Sequence, residues 1–441
     1  MTGNSSLAPF RPDSFAGAVS AFEGIREACA LVNSPLGCRT YTAYLIDWQD
    51  PQPSAGLPSL SEYFFGWYRA PSSYLDEQSY IMGSEEELVD ALRFIGSKDY
   101  QLVGVINSSG TTLIGEDLKR IIRSSGVRVR TVTIGSTAFN GTFADGFKVA
   151  AIEILRAVAK RGEKIPRSVN IIGPNIFQYG WENNVDELKR MLRVIGAEVL
   201  SVICAGENLG NLERAGQAEL NVVVCEEYGD TIAAYLEKEF GTPLMGINEP
   251  APIGLSGSEL WVKTIADRLG LPKEPVEAEA KKVKRRCCHA LERVSRYSGK
   301  PKGMTFGIFG DSSQVAPAMA FLHQYLGMYP AVLGIREAGK TSRAFINDYI
   351  AKNSMDTTVL MDPDQYIVKE HLIERRPDIV LGSSIEEYIV NGLDQKTAFA
   401  PFSFPYNKKI ILTARPTLGF NGALTLLEDV LNALKQRILE P

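Results

Sequence analysis

Six cysteines and three histidines are the residues of this 441-residue chain best suited to hold a metal or act as nucleophiles, and one cysteine stands apart by its setting. Cys38 lies in NSPLGCRTYTAY (33–44), where Pro35 and Gly37 predict a turn and aromatic residues follow. Turns run over surfaces, so cysteine has little packing value there. A turn does present a thiolate beside open backbone N–H groups, which is the setting that iron–sulfur ligation uses. One thiolate cannot hold a cluster by itself.

The remaining candidates read differently. In RRCCHA (285–290), consecutive helical residues point about 100° apart, so Cys287, Cys288 and His289 do not converge on one ion. Cys29, nine residues before Cys38, reads as buried filler. Cys204 and Cys225 end apolar strand-like runs, where cysteine either fills the core or faces a cleft at the strand ends. His289, His323 and His371 form no H-x-x-x-H or H-x-E pattern, and no G-x-S-x-G elbow occurs, so neither a zinc hydrolase nor the common serine-hydrolase arrangement is indicated. GIFGDSS (307–313) matches neither nucleotide-binding glycine motif and reads as a strand-to-helix turn, so the chain is not expected to bind ATP itself.

Composition narrows the class further. A net charge of −5 over this length lacks the basic excess of a general nucleic-acid binder. No apolar run approaches the roughly 18 residues of a membrane span, and MTGNSSLAPFRPDSF lacks the basic and apolar regions of a signal peptide. The expected location is cytoplasmic, where cysteines are free, metal-bound or catalytic rather than paired.

The elements that must position these residues repeat along the chain. Residues 102–134, 169–203 and 304–335 each open on a short apolar, β-branched run, continue through a Gly/Ser/Asn/Asp turn into an amphipathic helix, and end near a glycine before a new strand. In the second, Leu188, Met191, Leu192 and Ile195 share one helical face and Gly196 is the expected C-cap. A partial copy is DIVLGSSIEEYIV (378–390). Such units are right-handed βαβ crossovers of parallel sheets. They predict an α/β protein of three Rossmann-like domains, each a parallel sheet flanked by helices, around a central cleft. The expected domains are 1–165, 166–300 and 301–441, with boundaries in the polar segments 160–168 and 297–303. A Pro-rich loop is expected over 48–62, and a charged helix runs through GLPKEPVEAEAKKVKRRCCHALERV into the third domain.

With these stretches in view, the chain resembles the nitrogenase component 1 type oxidoreductases. That family includes nitrogenase molybdenum–iron protein subunits and their cofactor-assembly paralogues, the light-independent protochlorophyllide and chlorophyllide reductases, and a reductase of nickel-tetrapyrrole synthesis. NSPLGCRTY looks like the family's H-G/S-P-x-G-C turn. YIMGSEEELVDALRFI, VINSSGTTLIGEDLKRII, GSTAFNGTFADGFKVAAIEIL, AELNVVVCEEYGDTIAAYLEKEFGTPLM and PTLGFNGALTLLEDVLNAL are similar to later family segments in the same order.

The resemblance implies two related subunits paired about a pseudo-twofold axis, with an iron–sulfur cluster (4Fe–4S or P-cluster-like) at their interface and up to three cysteines from each. Cys38 stands at the middle cysteine position and Ser109 at the last, as a hydroxyl neighbour of the cluster; near Ser14 and Phe15, where the first is expected, there is none. Two identical copies would supply two Cys38 thiolates, short of the four a cubane usually needs. Either Cys29 is recruited or a cysteine-rich paralogous subunit supplies the rest, and a heterodimer or heterotetramer with such a paralogue is favoured. Cys225 stands where the family anchors the nitrogenase active-site metallocluster, or it is strand-end filler; the matching histidine is absent, so dinitrogen is not the expected substrate. The implied activity is that of a catalytic-component subunit of an ATP-dependent two-component reductase. A separate ATP-hydrolysing iron protein donates the electrons, and a metallocluster or bound tetrapyrrole in the cleft carries the chemistry. The alternatives are a scaffold for metallocluster assembly and a structural partner that has lost its metal.

Overall fold

The computed structural model describes residues 12–47, 70–135, 141–246, 250–297, 301–393, 396–406, 408–409 and 411–439; the stretch 48–62 lies outside them. Among the described residues twelve strands form three sheets, and every strand pairing is parallel. The first sheet is β1 (Ala28–Asn33), β2 (Leu102–Asn107) and β3 (Arg130–Ile134), adjacent in that order. The second contains β4 (Ile165–Ile172), β5 (Glu198–Val202), β6 (Ala218–Val223) and β7 (Leu244–Met245), in the order β5-β4-β6-β7. The third contains β8 (Thr305–Gly310), β9 (Tyr329–Ile335), β10 (Thr358–Met361), β11 (Ile379–Gly382) and β12 (Ala398–Pro401), in the order β10-β9-β8-β11-β12. β1 and β2 are buried at every position, which is why they read as unbroken apolar runs rather than alternating ones.

Strand order places the functional crevices. The second sheet reverses direction of growth between β4 and β6, and the third between β8 and β11. In such sheets the loops diverge at the reversal and leave a crevice beyond the carboxyl ends of the strands.

The repeats fold largely as their pattern dictates. In the second, helix Trp181–Val194 buries Leu188, Met191 and Leu192. It ends in a Schellman motif: Gly196 N donates to Arg193 O and Ala197 N to Leu192 O, with Gly196 at φ +82°. Two local expectations need correction. The helix of the first repeat is broken in two, Ser109–Ile114 and Leu118–Ser125. Gly115 takes a left-handed φ of +74°, and the Asp117 side chain caps a fresh start by accepting from Arg120 N. The turn expected at Cys38 is instead the start of helix Leu36–Asp47, with Cys38 in its first turn. Pro35 immediately precedes that helix, where its missing N–H costs nothing. Of the polar segment 160–168, residues from Ile165 onward already belong to β4.

The three sheets share one continuous apolar core, with two smaller clusters on the outer sides of the first and third sheets. Two kinds of contact set the packing, one within the first unit and one between the second and the third. Helices Ser14–Glu23 and Phe143–Val158 meet glycine against backbone: a Cβ on Gly17 would lie 2.0 Å from Phe143 O, and one on Gly146 1.8 Å from Ser14 O. Carboxylates of the second unit meet helix N-termini of the third. Glu226 accepts from Thr341 N (2.9 Å) and Ser342 N (3.1 Å) at the start of Lys340–Lys352. Glu227 accepts from Ser313 N (2.6 Å) at the start of Ser312–Leu326. Glu187 accepts from Asn421 N (3.0 Å) at the start of Gly419–Leu439.

The glycine contact yields a stability prediction. Gly146→Ala is expected to cost about 3 kcal/mol, the upper end of ordinary overpacking, because a backbone oxygen rather than a side-chain tip must move. Gly37→Ala, with nothing within 4 Å of its Cβ, is expected to be neutral or slightly stabilising. Urea midpoints of the two variants check the contrast, and equal midpoints would remove this packing argument.

Candidate functional site

Two loci lie at strand carboxyl ends. The first surrounds Cys38. Beneath it, a buried polar network closes the ends of β1 and β2. Asn33 Nδ2 donates to Ser84 Oγ (3.1 Å) and Asn107 Oδ1 (3.0 Å), Ser73 Oγ donates to Asn33 Oδ1 (2.8 Å), and Thr111 Oγ1 donates to Asn33 O (2.8 Å). These bonds tie three stretches of chain, at 73, 84 and 107–111, to the end of β1, and the Cys38 helix starts three residues further on.

Cys38 itself is half-buried. Burial, and then the Asp13 carboxylate, push its thiol above the usual range, while the Ser108 hydroxyl acts in the opposite direction. The hydroxyl acting on the thiol is therefore that of Ser108. Ser109, one residue on, is partly buried in the first turn of the following helix. Around Cys38 the surface is apolar: Leu36, Tyr74, Ile81, Met82 and Leu113 are each more than half exposed. The segments carrying them touch one another, since the Tyr80 ring packs on Gly110 and Arg39 lies over the Tyr74 ring at 5.7 Å.

The second locus is a cavity of about 360 Å³ where all three units meet. The first unit supplies Asp13, Thr142 and Phe143; the second supplies Phe177–Tyr179 after β4 and Tyr228 after β6. The third supplies Asp311 after β8, Arg336 and Glu337 after β9, Asp362–Gln365 after β10, Glu386 after β11 and Ser403–Pro405 after β12. Both topological reversals thus open into one space. Asp13 belongs to both loci, lining the cavity and acting on Cys38.

The cavity is acidic. Arg336 is its one cationic lining residue among those described, and it is already engaged by Ser383 Oγ (2.9 Å), both Glu386 oxygens (2.8 Å each) and Phe404 O. Asp311 stands at the N-cap of Ser312–Leu326 without capping it, since Glu227 has taken that place. Its carboxylate accepts instead from Tyr228 OH (2.9 Å). Burial, then the neighbouring Glu227 and Glu337 carboxylates, push Asp311 up to about 7. Glu337 is raised too, by burial first.

The other cysteines do not join this cavity. Cys225 is the N-cap of Glu226–Phe240 and fully buried; its sulfur accepts from Gln178 Nε2 (3.2 Å), and Gln178, not Cys225, lines the cavity. Burial, then Glu227, hold its thiol far above the usual range. Cys204 is fully buried in a left-handed turn (φ +56°), with the same effect of burial on its thiol. Cys29 packs in the apolar cluster on the outer side of the first sheet. Cys287 is buried while Cys288 and His289 are exposed, so these three point apart. Among the described residues no three His, Cys, Asp or Glu side chains are grouped to hold a metal ion, and no helix is long and apolar enough to cross a membrane.

Sequence reasoning missed Asp13, Ser108 and the acidic cavity. Asp13 precedes a helix of small and apolar residues and reads as an ordinary N-cap, which it also is, accepting from Ala16 N (3.0 Å). Only the fold brings it beside Cys38.

This arrangement of three parallel sheets about one cavity, with a half-exposed cysteine at the end of the first, has recognisable relatives. The chain belongs to the nitrogenase component 1 type oxidoreductase family, whose pattern it matches over residues 14–435. It is 25% identical over 364 residues to a light-independent protochlorophyllide reductase subunit of Chloroflexus aurantiacus, covering 78% of this chain and 63% of that one, so it spans under two thirds of that relative's length. It is 23% identical over 462 residues to the nitrogenase molybdenum-iron protein beta chain of Methanococcus maripaludis, covering 96% of this chain and 93% of that one. Its fold is that of the solved structure of nitrogenase Cp1 at pH 6.5, with a TM-score of 0.80 at 17% identity over 99% of this chain and 95% of that one.

Asp311 gives a pH prediction. The unfolded carboxyl loses its proton near pH 4, whereas the folded one keeps it to about 7. Across that window the folded chain binds more protons, so stability falls as pH rises. Asp311→Asn is expected to match the parent near pH 4, gain on it up to about pH 7, and keep a constant advantage above. Thermal midpoints across this range check it, and a constant difference at all pH values would contradict it.

Proposed function

We propose that this chain is one subunit of the catalytic component of a nitrogenase-like, two-component reductase. It takes electrons from a separate ATP-hydrolysing iron protein through an iron–sulfur cluster shared with a paralogous, cysteine-rich subunit, and substrate is reduced in the inter-unit cavity. The observation that carries the reading is the setting of Cys38: a half-buried residue in a helix's first turn, with exposed apolar side chains on its own and the neighbouring segments, beside a carboxylate that also lines the cavity.

Cys38 fits one corner of a shared cluster and nothing larger. The residue is only partly buried, while a complete donor set is lacking among the described residues. A bound cluster would supply one-electron transfer at low potential. The chain's own residues prepare for it: the polar network at β1 and β2 braces the strand end from which the Cys38 helix starts, burial and then the Asp13 charge favour the thiol's proton, which a metal would displace, and Ser108 offers a hydroxyl to the sulfur. Exposed Ile81, Met82 and Leu113 form the kind of patch that marks a protein interface, and a partner seated there would shield the shared cluster from water.

The test is iron and acid-labile sulfide in the complex purified with its partner. Cys38→Ala is expected to lose most of both, and Ile81→Glu/Met82→Glu to weaken the partner association about tenfold or more. Full metal content in the Cys38→Ala complex overturns the proposal, and a metal-free parent complex would make this chain a structural partner.

A further inference from the structure

We infer that the inter-unit cavity takes a compact organic cation, an ammonium or amidinium group on an aromatic or aliphatic body, held by the Asp311 and Glu337 carboxylates, with Gln178 and Ser403 completing its hydrogen bonds. This rests on the reading of the cavity as the substrate site and names the substrate class for it.

Charge comes first. Of the carboxylates that line the cavity, Glu386 is paired with a cation, Arg336, while Asp13 and Asp364 each cap the helix they precede. Asp311 and Glu337 are bonded only to neutral donors, Asp311 to Tyr228 OH (2.9 Å) and Glu337 to Ala144 N (3.5 Å). Both feel the Glu227 carboxylate, Asp311 feels Glu337 as well, and the one counter-charge acting on Asp311 is the already engaged Arg336. Buried like charges without a counter-ion are costly, and the cost is removed either by a proton or by a cation. The raised Asp311 shows the first solution at work when no ligand is bound.

An independent sign of a ligand is unspent hydrogen-bonding capacity. Gln178 and Ser403 both line the cavity, are 4% and 5% exposed, and leave Gln178 Oε1 and Ser403 Oγ without any partner. A buried polar group left without a partner costs about 1–3 kcal/mol, so a site that keeps two is built to receive something. The Ser403 hydroxyl can donate or accept, but the Gln178 oxygen only accepts, and it asks for a donor that an N–H-bearing cation provides and a carboxylate or phosphate does not.

The walls select the body of the ligand. Phe143, Phe177 and Phe404, one from each unit, form a chain of edge-to-face rings at 5.2 and 5.1 Å, and Tyr228 joins it 6.0 Å from Phe143. Aromatic walls beside carboxylates are the surroundings in which organic cations bind best. A bare metal ion is disfavoured, because no three ligating side chains among the described residues are grouped together. An anion finds no free cation: Arg336 is spent, and the helix N-termini at Ser14, Phe143 and Gln365 already meet Asp13, Glu337 and Asp364.

Benzamidine, benzamide and benzoate separate these possibilities, being nearly the same shape with charges of plus one, zero and minus one. Their binding is measured by calorimetry on the full chain with its co-purifying partner, without ATP, reductant or iron protein. Benzamidine is expected to bind at least about tenfold tighter than benzamide, and benzoate not at all. Its affinity is expected to fall as pH drops below about 7, where Asp311 holds its proton. Asp311→Asn and Glu337→Gln are each expected to weaken benzamidine about tenfold while leaving benzamide unchanged. The first of these should be at least as stable as the parent, so its loss of binding would not reflect misfolding. Equal binding of benzamidine and benzamide, preference for benzoate, indifference to both variants, or no binding of any probe at about 10 mM would overturn the inference. None of these results depends on metal, so they leave the Cys38 test to stand or fall separately.

Discussion

Three glutamates of the second unit hold the molecule in register by serving as helix caps for the third. Glu187, Glu226 and Glu227 are each less than a tenth exposed, and each ends on backbone N–H groups at the start of a helix from another part of the chain. A buried carboxylate costs several kcal/mol unless it is bonded, and a helix start leaves four N–H groups without partners. Each defect cures the other. Hydrogen bonds to charged groups contribute about 1.5–3 kcal/mol each, and the geometry is strict in a way that apolar contact is not. Gly339 shows the strictness: a Cβ there would lie 2.3 Å from Glu226 Oε2, so the helix start is kept bare for a cap from elsewhere.

The character of the cavity follows from that exchange. Asp311 is at the N-cap position of its helix and would ordinarily bend back to bond the first turn. Glu227 already accepts from the Ser313 N–H there, and from the Ser312 and Ser313 hydroxyls. Asp311 is left to face Tyr228 and the open space, with a second carboxylate behind it. Stability and site chemistry are therefore set by one choice of partner. The bond that docks the third unit onto the second also places an uncapped, uncompensated carboxylate at the junction of the β4/β6 and β8/β11 reversals.

How much of this was legible in the sequence depends on the range of the interaction. The strands, the second and third repeat helices and their glycine ends were readable, because periodicity and capping act over a few residues; the Schellman end at Gly196 is one instance. The family resemblance was readable from ordered motifs, and the match over 14–435 bears it out. The break at Gly115 was missed because apolar spacing continues through it, and the Cys38 turn was misread because a Pro–x–Gly sequence serves equally well just before a helix. The cavity was legible only as an expectation that turns would converge. Its sign was not: Asp311, Glu337, Asp13 and Gln178 lie in unrelated segments, and each looks like an ordinary cap or loop residue until the units are assembled.

The two loci differ in a way that suits different work. The cavity is enclosed by all three units of this one chain, whereas the Cys38 surface is half-open, apolar at its rim and short of ligands. A site complete within one chain can select a small molecule, and a site left incomplete can be finished only by another chain. Asp13 joins them, lining the one and raising the thiol of the other, and its position is held by the close glycine contact between helices Ser14–Glu23 and Phe143–Val158.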